Sequence, residues 1–452
     1  MSRRDVKWRG SWSLAAVVLF TLAIARSPAA ATPSLEEVAR GIRIDTRQIS
    51  VSGISSGGFM AHQFHVAHSE HIMGAGIVAG GPYYCARGSI LDAVTRCSQF
   101  VMLQCTGLGL DPKWCRKTDL VPKDEPEIER AARASFDEAK KQEAAGNISR
   151  LANLKNSRVY LFIGVHDPIV PRAVMDVLNR FYADLNKAGV PPGNIGYNKT
   201  FPASHTMVRD DFAKPDVDVV STCAQPPAPS PPPDKSNFID NCEVVARQQQ
   251  EKNGCICPSG TSCVANDKQS LCKDLQAVDL AGAILKHIYG EQALKAKRVP
   301  VPEGEVQAFD QRQVFSTFSD APYNALQNAS MAKEGYVFIP RPCKDGKPCR
   351  LHVAFHGCLQ GGLTDRRSGR SGNLFAKFAG YNEWAQANDI VVLYPQIQAR
   401  SSIPLNPQGC WDWWGQDYTR EGYHTKRGKQ VKAVAQMINL LAGQKLLDIP
   451  AD

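Results

Sequence analysis

The chain has 452 residues, enough to bury a large core as one big domain or as two to three ordinary ones. With 43% hydrophobic and 21% charged residues its composition is globular, which excludes a fibrous or largely disordered chain. The formal net charge of +9 is a modest excess and no nucleic-acid-binding motif accompanies it, so we expect no nucleic-acid partner.

The N-terminus is predicted to be a secretory signal peptide. Basic residues precede an apolar stretch from Leu14 to Ala25, and the small residues 29–31 offer a cleavage site. The apolar stretch is too short to span a bilayer comfortably. Removing residues 1–31, which hold five basic residues and one acidic residue, lowers the formal charge from +9 to +5. We therefore expect a secreted or periplasmic protein without stable membrane insertion after cleavage.

The 14 cysteines fit an oxidising compartment, because an even number can pair completely as disulfides. Metal binding is the competing interpretation. Cys255 and Cys257 lack a matching partner pair, and the other close spacings are not those of paired zinc hooks. We expect neither a structural metal nor a cofactor.

A serine stands at a predicted strand-to-helix turn. Residues 53–57 read Gly-Ile-Ser-Ser-Gly, after the apolar run 49–52 and before a helical stretch. The small residues Gly53 and Gly57 allow the strained turn that lifts the Ser55 hydroxyl clear of the backbone, where a histidine can reach it. Such a pentapeptide also occurs by chance as a Gly/Ser loop, so its interpretation depends on the rest of the chain.

Alternating strands and helices follow and predict a mainly parallel sheet. The predicted strands lie at 74–80, 158–163, 195–201, 351–355 and 390–394, and the predicted helices at 125–145, 171–187, 277–289, 371–387 and about 430–447. Two stretches look like insertions, near 99–150 and near 225–275, the second of them Pro-rich and Cys-rich. We predict one α/β-hydrolase domain over residues 32–452.

An acid and a histidine follow the serine in the chain order of an α/β-hydrolase. Asp167 comes after the predicted strand 158–163, and His205 after the strand 195–201. Asp167 would hold His205 in the correct tautomer while His205 takes the serine proton. Each has an ordinary alternative, since an Asp before a proline often begins a turn and a single histidine is often surface or core. Order and placement favour a catalytic triad.

An oxyanion hole needs a second backbone amide besides that of Ser56. His356-Gly357-Cys358 follows the predicted strand 351–355 and is the type of loop that supplies it. That strand usually precedes the nucleophile, whereas here it lies about 300 residues after it. A circular permutation that moves the opening block of the fold to the C-terminus predicts an unchanged spatial arrangement.

These motifs resemble the poly(3-hydroxybutyrate) depolymerases of the single-domain, circularly permuted type. The resemblance covers nearly the whole mature chain and is carried by the segments 53–60, 79–86, 164–167, 205–206, 351–360, 394–396 and 406–413. It implies an exported α/β-hydrolase that cleaves poly(3-hydroxybutyrate) or its oligomers through an acyl-enzyme intermediate. We expect it to act as a monomer on this polyester or oligoester partner.

Matched position by position, the resemblance implies Ser55 as nucleophile, Asp167 and His205 as its partners, and the amides of Ser56 and Cys358 as the oxyanion hole.

The resemblance also implies a cleft and a disulfide framework. Trp413 looks like the family tryptophan that lines the cleft for the polyester chain. The implied disulfides are Cys85–Cys97, Cys223–Cys242, Cys343–Cys349 and Cys358–Cys410.

The sequence departs from the family in its two insertions and in six extra cysteines, whose pairing it leaves open: Cys105, Cys115, Cys255, Cys257, Cys263 and Cys272. The insertions would either narrow the cleft toward soluble oligomers or add surface for a polymer granule. Because fold and triad do not fix the acyl group, an esterase for feruloyl or short-chain esters is an alternative. A secreted polyester-binding protein without turnover is a less favoured one.

Histidines recur at every third position from His62 to His71, which suggests a metal site. Three-residue spacing drifts around a helix, however, whereas an i, i+4 pair would converge on one ion. We expect these histidines to be structural or solvated.

Overall fold

An eight-stranded sheet forms the centre of the computed structural model. Its strands are β1 Arg43–Ile54, β2 Ile72–Val78, β3 Arg158–Phe162, β4 Ile195–Asn198, β8 Val306–Asp310, β9 Glu334–Phe338, β10 Pro348–Phe355 and β11 Ile390–Tyr394. Three short strands, β5 Met207–Arg209, β6 Ser221–Thr222 and β7 Ile239–Asn241, form a second sheet. The structure describes residues 31–99, 120–186, 193–201, 203–210, 221–222, 239–241, 278–295, 297–302, 305–317, 326–362, 373–415 and 422–450.

The strand order of the large sheet is β4-β3-β2-β1-β10-β11-β9-β8. Its pairs are parallel except β11 with β9 and β9 with β8, which are antiparallel. Strand β1 therefore lies between the strands that follow it in the sequence and the strands of the last third of the chain. This arrangement confirms the predicted circularly permuted α/β-hydrolase fold, because the displaced block keeps its neighbours in the sheet.

The helices are α1 Leu35–Val38, α2 Ser56–Ala67, α3 Ile90–Arg96, α4 Glu125–Ala144, α5 Arg172–Asn186, α6 Leu280–Tyr289, α7 Arg341–Lys344, α8 Leu374–Phe378, α9 Tyr381–Asn388 and α10 Lys429–Ala442. Short 3-10 helices span Leu151–Asn156, Glu291–Ala293 and Gln311–Thr317.

Helices cover both faces of the sheet beside β1. Side chains alternate between the faces of a strand, so His352 and Phe355 of β10 point to opposite sides. His352 Nε2 lies 2.7 Å from the Ser52 hydroxyl, which donates to the Tyr381 hydroxyl of α9 at 2.7 Å. The Phe355 ring packs against Phe64 of α2, with ring centroids 6.2 Å apart. Strand β1, which leads into the serine turn, is thus enclosed on both sides.

The described part of the first insertion packs on the outside of α5. Asp124 caps α4 by accepting a hydrogen bond from the Glu127 amide at 2.8 Å. Ile128 and Ala132 of α4 form a small buried cluster with Val177 of α5. Helix α4 also reaches the main core, which includes Ala139, and the Ser135 hydroxyl donates to the Tyr83 carbonyl at 2.7 Å.

Several elements end at other positions than the sequence predicts. The strand predicted at 74–80 is Ile72–Val78, and the strand predicted at 195–201 ends at Asn198. The helix predicted at 371–387 is divided into α8 and α9 by Gly380, whose φ of 92° is incompatible with a continuous helix. Helix α10 ends at Ala442, because Gly443 takes a φ of 64° and reverses the chain.

Three of the four implied disulfides are present and confirmed: Cys85–Cys97, Cys343–Cys349 and Cys358–Cys410. The implied pair Cys223–Cys242 and the six extra cysteines lie outside the described residues, as do residues 1–30 of the predicted signal peptide and, apart from β7, the insertion near 225–275. Across the described ranges, no helix is both long and apolar enough to cross a bilayer.

The histidines of α2 are buried. His62 Nδ1 lies 3.1 Å from the Gly81 carbonyl, and the two ring nitrogens of His65 each lie 2.9 Å from a hydroxyl, those of Tyr182 and Ser157. Burial lowers the pKa of each of these two histidines to about 3, so both are neutral core side chains. Within the described residues no group of three or more His, Cys, Asp or Glu side chains is arranged to hold a metal ion.

Candidate active site

Ser55 stands on a strained turn between β1 and α2. Its backbone has φ 57° and ψ −125°, a combination that residues with a side chain rarely adopt. A Cβ atom at Gly53 would lie 2.2 Å from the Gly57 carbonyl oxygen, and one at Gly57 would lie 2.4 Å from the carbonyl oxygens of Phe355 and His356. The two glycines are therefore required by close backbone approach, and the turn has the geometry predicted for a nucleophile elbow.

The ends of β1, β2 and β3 meet at one edge of the sheet. The Ser55 amide donates to the Val78 carbonyl at 2.9 Å, and the Ala79 amide donates to the Phe162 carbonyl at 2.8 Å. Because parallel strands end at the same edge, the turns that follow them lie side by side.

Asp167 and His205 form a buried pair on the turns after β3 and β4. His205 Nδ1 lies 2.8 Å from Asp167 Oδ2, and the two side chains are 4% and 1% exposed. The other carboxylate oxygen of Asp167 accepts hydrogen bonds from the amides of Ile169 at 2.8 Å and Val170 at 2.9 Å. The carboxylate is thus fixed from both sides and holds the proton on His205 Nδ1, so that Nε2 is the nitrogen available as a base.

The loop after β10 lies against the serine turn. Gly53 pairs with Phe355 in the parallel register of β1 and β10, so Ser55 and Gly357 occupy equivalent positions beyond the two strands. A Cβ atom at Gly357 would lie 3.2 Å from the Ser55 Cβ. Ser56 begins α2, and the first amides of a helix have no partner within the helix. The amides of Ser56 and of the 357–358 peptide therefore flank the serine.

A disulfide joins this loop to the segment 406–415, which contains Trp411, Trp413 and Trp414 and is called the tryptophan loop below. Hydrogen bonds hold the tryptophan loop itself. Cys358 is bonded to Cys410, and the Trp411 amide donates to the Ser56 hydroxyl at 3.3 Å. The Asn406 side chain accepts from the Cys410 amide at 2.9 Å and donates to the Cys410 carbonyl at 2.8 Å. Three segments that are distant in the sequence are thus held as one unit beside the nucleophile.

The three tryptophans of this loop differ in exposure. Trp411 is fully buried and Trp414 is 6% exposed, whereas Trp413 is only partly buried. The Trp413 ring stacks on Phe59 of α2 with centroids 4.1 Å apart and planes 15° apart. Of the three rings, Trp413 is therefore the one that presents surface next to the serine helix.

Sequence reasoning missed the side chains that support the site. It did not assign Phe59 as the partner of Trp413, or Asn406 as the clamp on Cys410. It also missed Gln360, whose Oε1 accepts a hydrogen bond from the Gly357 amide at 2.6 Å. All three lie in segments that carry the family resemblance. The Phe59–Trp413 contact joins distant parts of the chain, which a single sequence does not reveal, whereas the contacts of Asn406 and Gln360 are local but depend on loop conformations that no motif specifies.

The chain is similar to known depolymerases in sequence. It is 32% identical over 404 residues to a poly(3-hydroxybutyrate) depolymerase of Delftia acidovorans. The aligned region covers 88% of this chain and 60% of that protein. It is 29% identical over 383 residues to a polyhydroxybutyrate depolymerase of Talaromyces funiculosus, which covers 82% of this chain and 83% of that protein. No family model matches the chain.

Solved structures give the same result. The crystal structure of a PHB depolymerase from Penicillium funiculosum matches with a TM-score of 0.61 and 26% identity, over 91% of this chain and 98% of that one. A serine-to-alanine variant of a PHB depolymerase complexed with an R3HB trimer matches with a TM-score of 0.60, the same identity and the same coverage. The resemblance identified in the sequence is confirmed in fold and in sequence.

Proposed function

Because the chain is a relative of the poly(3-hydroxybutyrate) depolymerases, we propose that it is a serine esterase that hydrolyses poly(3-hydroxybutyrate) or its oligomers. The observation that carries this proposal is the buried Asp167–His205 pair at 2.8 Å, at the sheet edge where Ser55 stands on its strained turn. The chain spans 60% of the length of the Delftia relative, so the activity is inferred from this site as well as from the similarity.

In the proposed reaction the Ser55 oxygen attacks the ester carbonyl while His205 takes the proton of the Ser55 hydroxyl. Asp167 orients the imidazole and stabilises the imidazolium that forms. The amides of Ser56 and Cys358 donate hydrogen bonds to the oxyanion, whose stabilisation is usually the largest single contribution to such a reaction.

His205 then returns the proton to the leaving alkoxy oxygen, and an acyl group remains on Ser55. A water molecule, activated by His205, hydrolyses this ester and releases the acid. We propose that the partly exposed face of Trp413 lines the cleft and contacts the methyl and methylene groups of the polyester.

Exposed apolar side chains surround this edge of the sheet and support action on a solid polymer surface. They lie on the turns that follow β3, β10 and β11, and their exposed fractions are 55% for Val165, 46% for Leu359, 79% for Ile403 and 43% for Leu405. Large apolar side chains exposed around a site often mark a contact with another apolar surface. We propose that they adsorb the enzyme on the polyester.

We also propose that the chain is exported and acts as a monomer. The predicted signal peptide at 1–31 and the three disulfides support a secreted or periplasmic location, because disulfides persist in oxidising compartments.

The replacement Ser55→Ala tests the proposed function. We expect the release of 3-hydroxybutyrate from polymer films, soluble oligomers and aryl esters to fall by at least about 10³-fold, because the nucleophile is lost. The thermal unfolding midpoint should stay close to that of the wild type, since the change removes one hydroxyl oxygen and leaves the backbone hydrogen bond from Ser55 to Val78 in place.

The same assay separates the alternatives. Release of product from aryl or feruloyl esters but from neither polymer nor oligomer would favour an esterase for another acyl group. Binding to films without turnover, together with failure of a serine-directed phosphonate to label Ser55, would favour a polyester-binding protein. If Ser55→Ala kept the activity of the wild type, the assignment of Ser55 as the nucleophile would be wrong.

A further inference from the structure

The buried histidine of the loop after β10 has a defined tautomer. The Ile397 amide donates a hydrogen bond to His356 Nε2 at 3.0 Å. A backbone amide can only donate, so Nε2 is the unprotonated nitrogen and Nδ1 carries the hydrogen. Nδ1 lies 2.7 Å from the Gly357 carbonyl oxygen and donates to it.

The His356 ring is enclosed on several sides and has one orientation. It is completely buried, and a Cβ atom at Gly361 would lie 2.1 Å from His356 Nε2. The Trp411 ring lies beside it, with centroids 5.6 Å apart. Burial lowers the pKa of His356 to about 4, so the imidazole is neutral at ordinary pH.

The hydrogen bond from His356 determines the direction of the Cys358 amide. The Gly357 carbonyl and the Cys358 N–H belong to one planar trans peptide, in which the two groups point in opposite directions. Holding the carbonyl toward the imidazole therefore turns the Cys358 N–H away from it. The preceding peptide is held as well, because the Gly357 amide donates to Gln360 Oε1 at 2.6 Å.

A glycine at position 357 makes this restraint necessary. Glycine has no Cβ to limit rotation of its peptide planes, so the 357–358 peptide could otherwise turn over at little cost. The close approach to Ser55, 3.2 Å from the position of a Gly357 Cβ, leaves no room for a bulkier residue. The orientation must therefore be imposed by groups that bond to the peptide. The Gln360 amide donates to the Gly357 carbonyl at 3.4 Å, and the contact with His356 Nδ1 is the shorter one, at 2.7 Å.

We propose that His356 is a positioning residue for the oxyanion hole: its Nδ1–H holds the Gly357 carbonyl and thereby directs the Cys358 amide toward the oxyanion that forms on the Ser55 adduct. This inference rests on the proposed function. It concerns a fully buried side chain that bonds to the backbone of Gly357 and Ile397, and it distinguishes the two nitrogens of one ring, of which only Nδ1 acts on the oxyanion amide.

Two variants separate the two nitrogens. In His356→Asn the side-chain NH₂ takes the place of Nδ1–H and can donate to the Gly357 carbonyl. In His356→Gln the side-chain oxygen takes the place of Nε2 and can accept from the Ile397 amide, but residue 356 then offers no donor to the Gly357 carbonyl. The Gln360 amide, which donates to that carbonyl at 3.4 Å, is present in both variants. Both remove the ring, so each is the matched control for the other in packing and stability.

We expect His356→Gln to lower kcat for a soluble aryl ester by about 30-fold to 100-fold with KM within about twofold, because loss of one oxyanion donor costs about 10²-fold to 10³-fold in kcat. His356→Asn should keep kcat within about fivefold of the wild type, although both variants lower the melting temperature. Equal losses of kcat in the two variants, or no loss in His356→Gln, would overturn the proposal.

A second measurement does not depend on turnover. In protein labelled with ¹⁵N-cysteine, we expect the Cys358 amide resonance to move and its hydrogen exchange to speed up in His356→Gln, and to stay near the wild-type values in His356→Asn. If the wild type shows no Ser55-dependent hydrolysis, the proposed function fails while this amide measurement still decides the role of His356. An unchanged Cys358 amide in His356→Gln contradicts that role.

Discussion

At the scale of single residues, the site depends on positions where no side chain fits. Ser55 has a positive φ, which costs a residue with a Cβ about 1–3 kcal/mol unless its surroundings impose it. The surroundings here are backbone atoms. Gly53 and Gly57 allow the strand end, the helix start and the loop after β10 to come within contact distance. The serine is thus held by the packing of three chain segments.

Replacement of Gly57 by alanine tests this close packing. Alanine favours a helix by about 1 kcal/mol over glycine, yet its Cβ would lie 2.4 Å from the carbonyl oxygens of Phe355 and His356. We expect Gly57→Ala to reduce stability by about 3 kcal/mol or more in urea unfolding and to remove most esterase activity.

The control for this change is Gly443→Ala, at a glycine with φ 64° where an added Cβ would meet no atom of another described residue within 4 Å, its chain neighbours aside. It should cost only about 1 kcal/mol, from the left-handed backbone, and keep full activity. An effect of Gly57→Ala no larger than that of Gly443→Ala would show that crowding does not make Gly57 necessary.

At the scale of elements, the two disulfides that involve β10 are placed at its opposite ends. Cys349 lies at the start of β10 and is bonded to Cys343, at a sequence separation of 6. Cys358 lies in the loop that follows the end of β10 and is bonded to Cys410, at a sequence separation of 52. The first closes a short turn far from the serine, and the second joins the oxyanion loop to the tryptophan loop.

Serine replacement of each pair distinguishes stabilisation from positioning of the site. The loop-closure relation gives about 4 kcal/mol for the pair Cys358/Cys410 and about 2 kcal/mol for Cys343/Cys349. We expect both double variants to melt at lower temperature. Only Cys358→Ser/Cys410→Ser should also lower kcat, by about 10-fold or more at a temperature where it is folded, because the oxyanion amide is then less well held.

If both double variants kept the kcat of the wild type, the bond between the two loops would contribute to stability alone. A loss of kcat in Cys343→Ser/Cys349→Ser would instead mean that the start of β10 influences its distant end.

At the scale of the whole molecule, the core contains histidines that must stay neutral. Burial lowers the pKa of His62, His65 and His68 to about 3, against about 6.5 in an unfolded chain. Between these values the unfolded state binds protons that the native state excludes. The free energy of unfolding therefore falls as the pH falls from 6.5 toward 3, by about 1.4 kcal/mol per pH unit for each histidine.

The variant His68→Leu tests this linkage. Among the described residues neither ring nitrogen of His68 has a hydrogen-bond partner, so the substitution removes no bond. We expect the slope of unfolding free energy against pH between 5.5 and 4 to decrease by about 1.4 kcal/mol per pH unit in urea titrations. Measurements at pH 7.5, where the ring is neutral in both states, give the packing effect of the change. An unaltered slope would mean that His68 is protonated in the native state.

The sequence was most informative where structure is local. The strand, glycines and helix around Ser55 lie within one continuous segment, so the turn was predictable from its residues. The strands β2, β3, β10 and β11 were predictable because strands buried on both faces are nearly continuous apolar runs. Strands β8 and β9 were not predicted, because their apolar pattern is weak: β8 lies at the sheet edge with most of its residues only partly buried, and β9 begins with Glu334 and Gly335, which leaves a short apolar run.

The sequence by itself thus predicted the order of Ser55, Asp167 and His205 along the sheet edge and the placement of β10, from the last third of the chain, beside the serine strand. The tertiary structure alone decided that the Trp413 ring stacks on Phe59, that the α2 histidines are buried, and that His356 Nε2 accepts a hydrogen bond from the Ile397 amide. The physical reason is that burial and hydrogen bonding here depend on contacts between segments far apart in the chain, whereas the nucleophile turn depends on the steric limits of its own few residues.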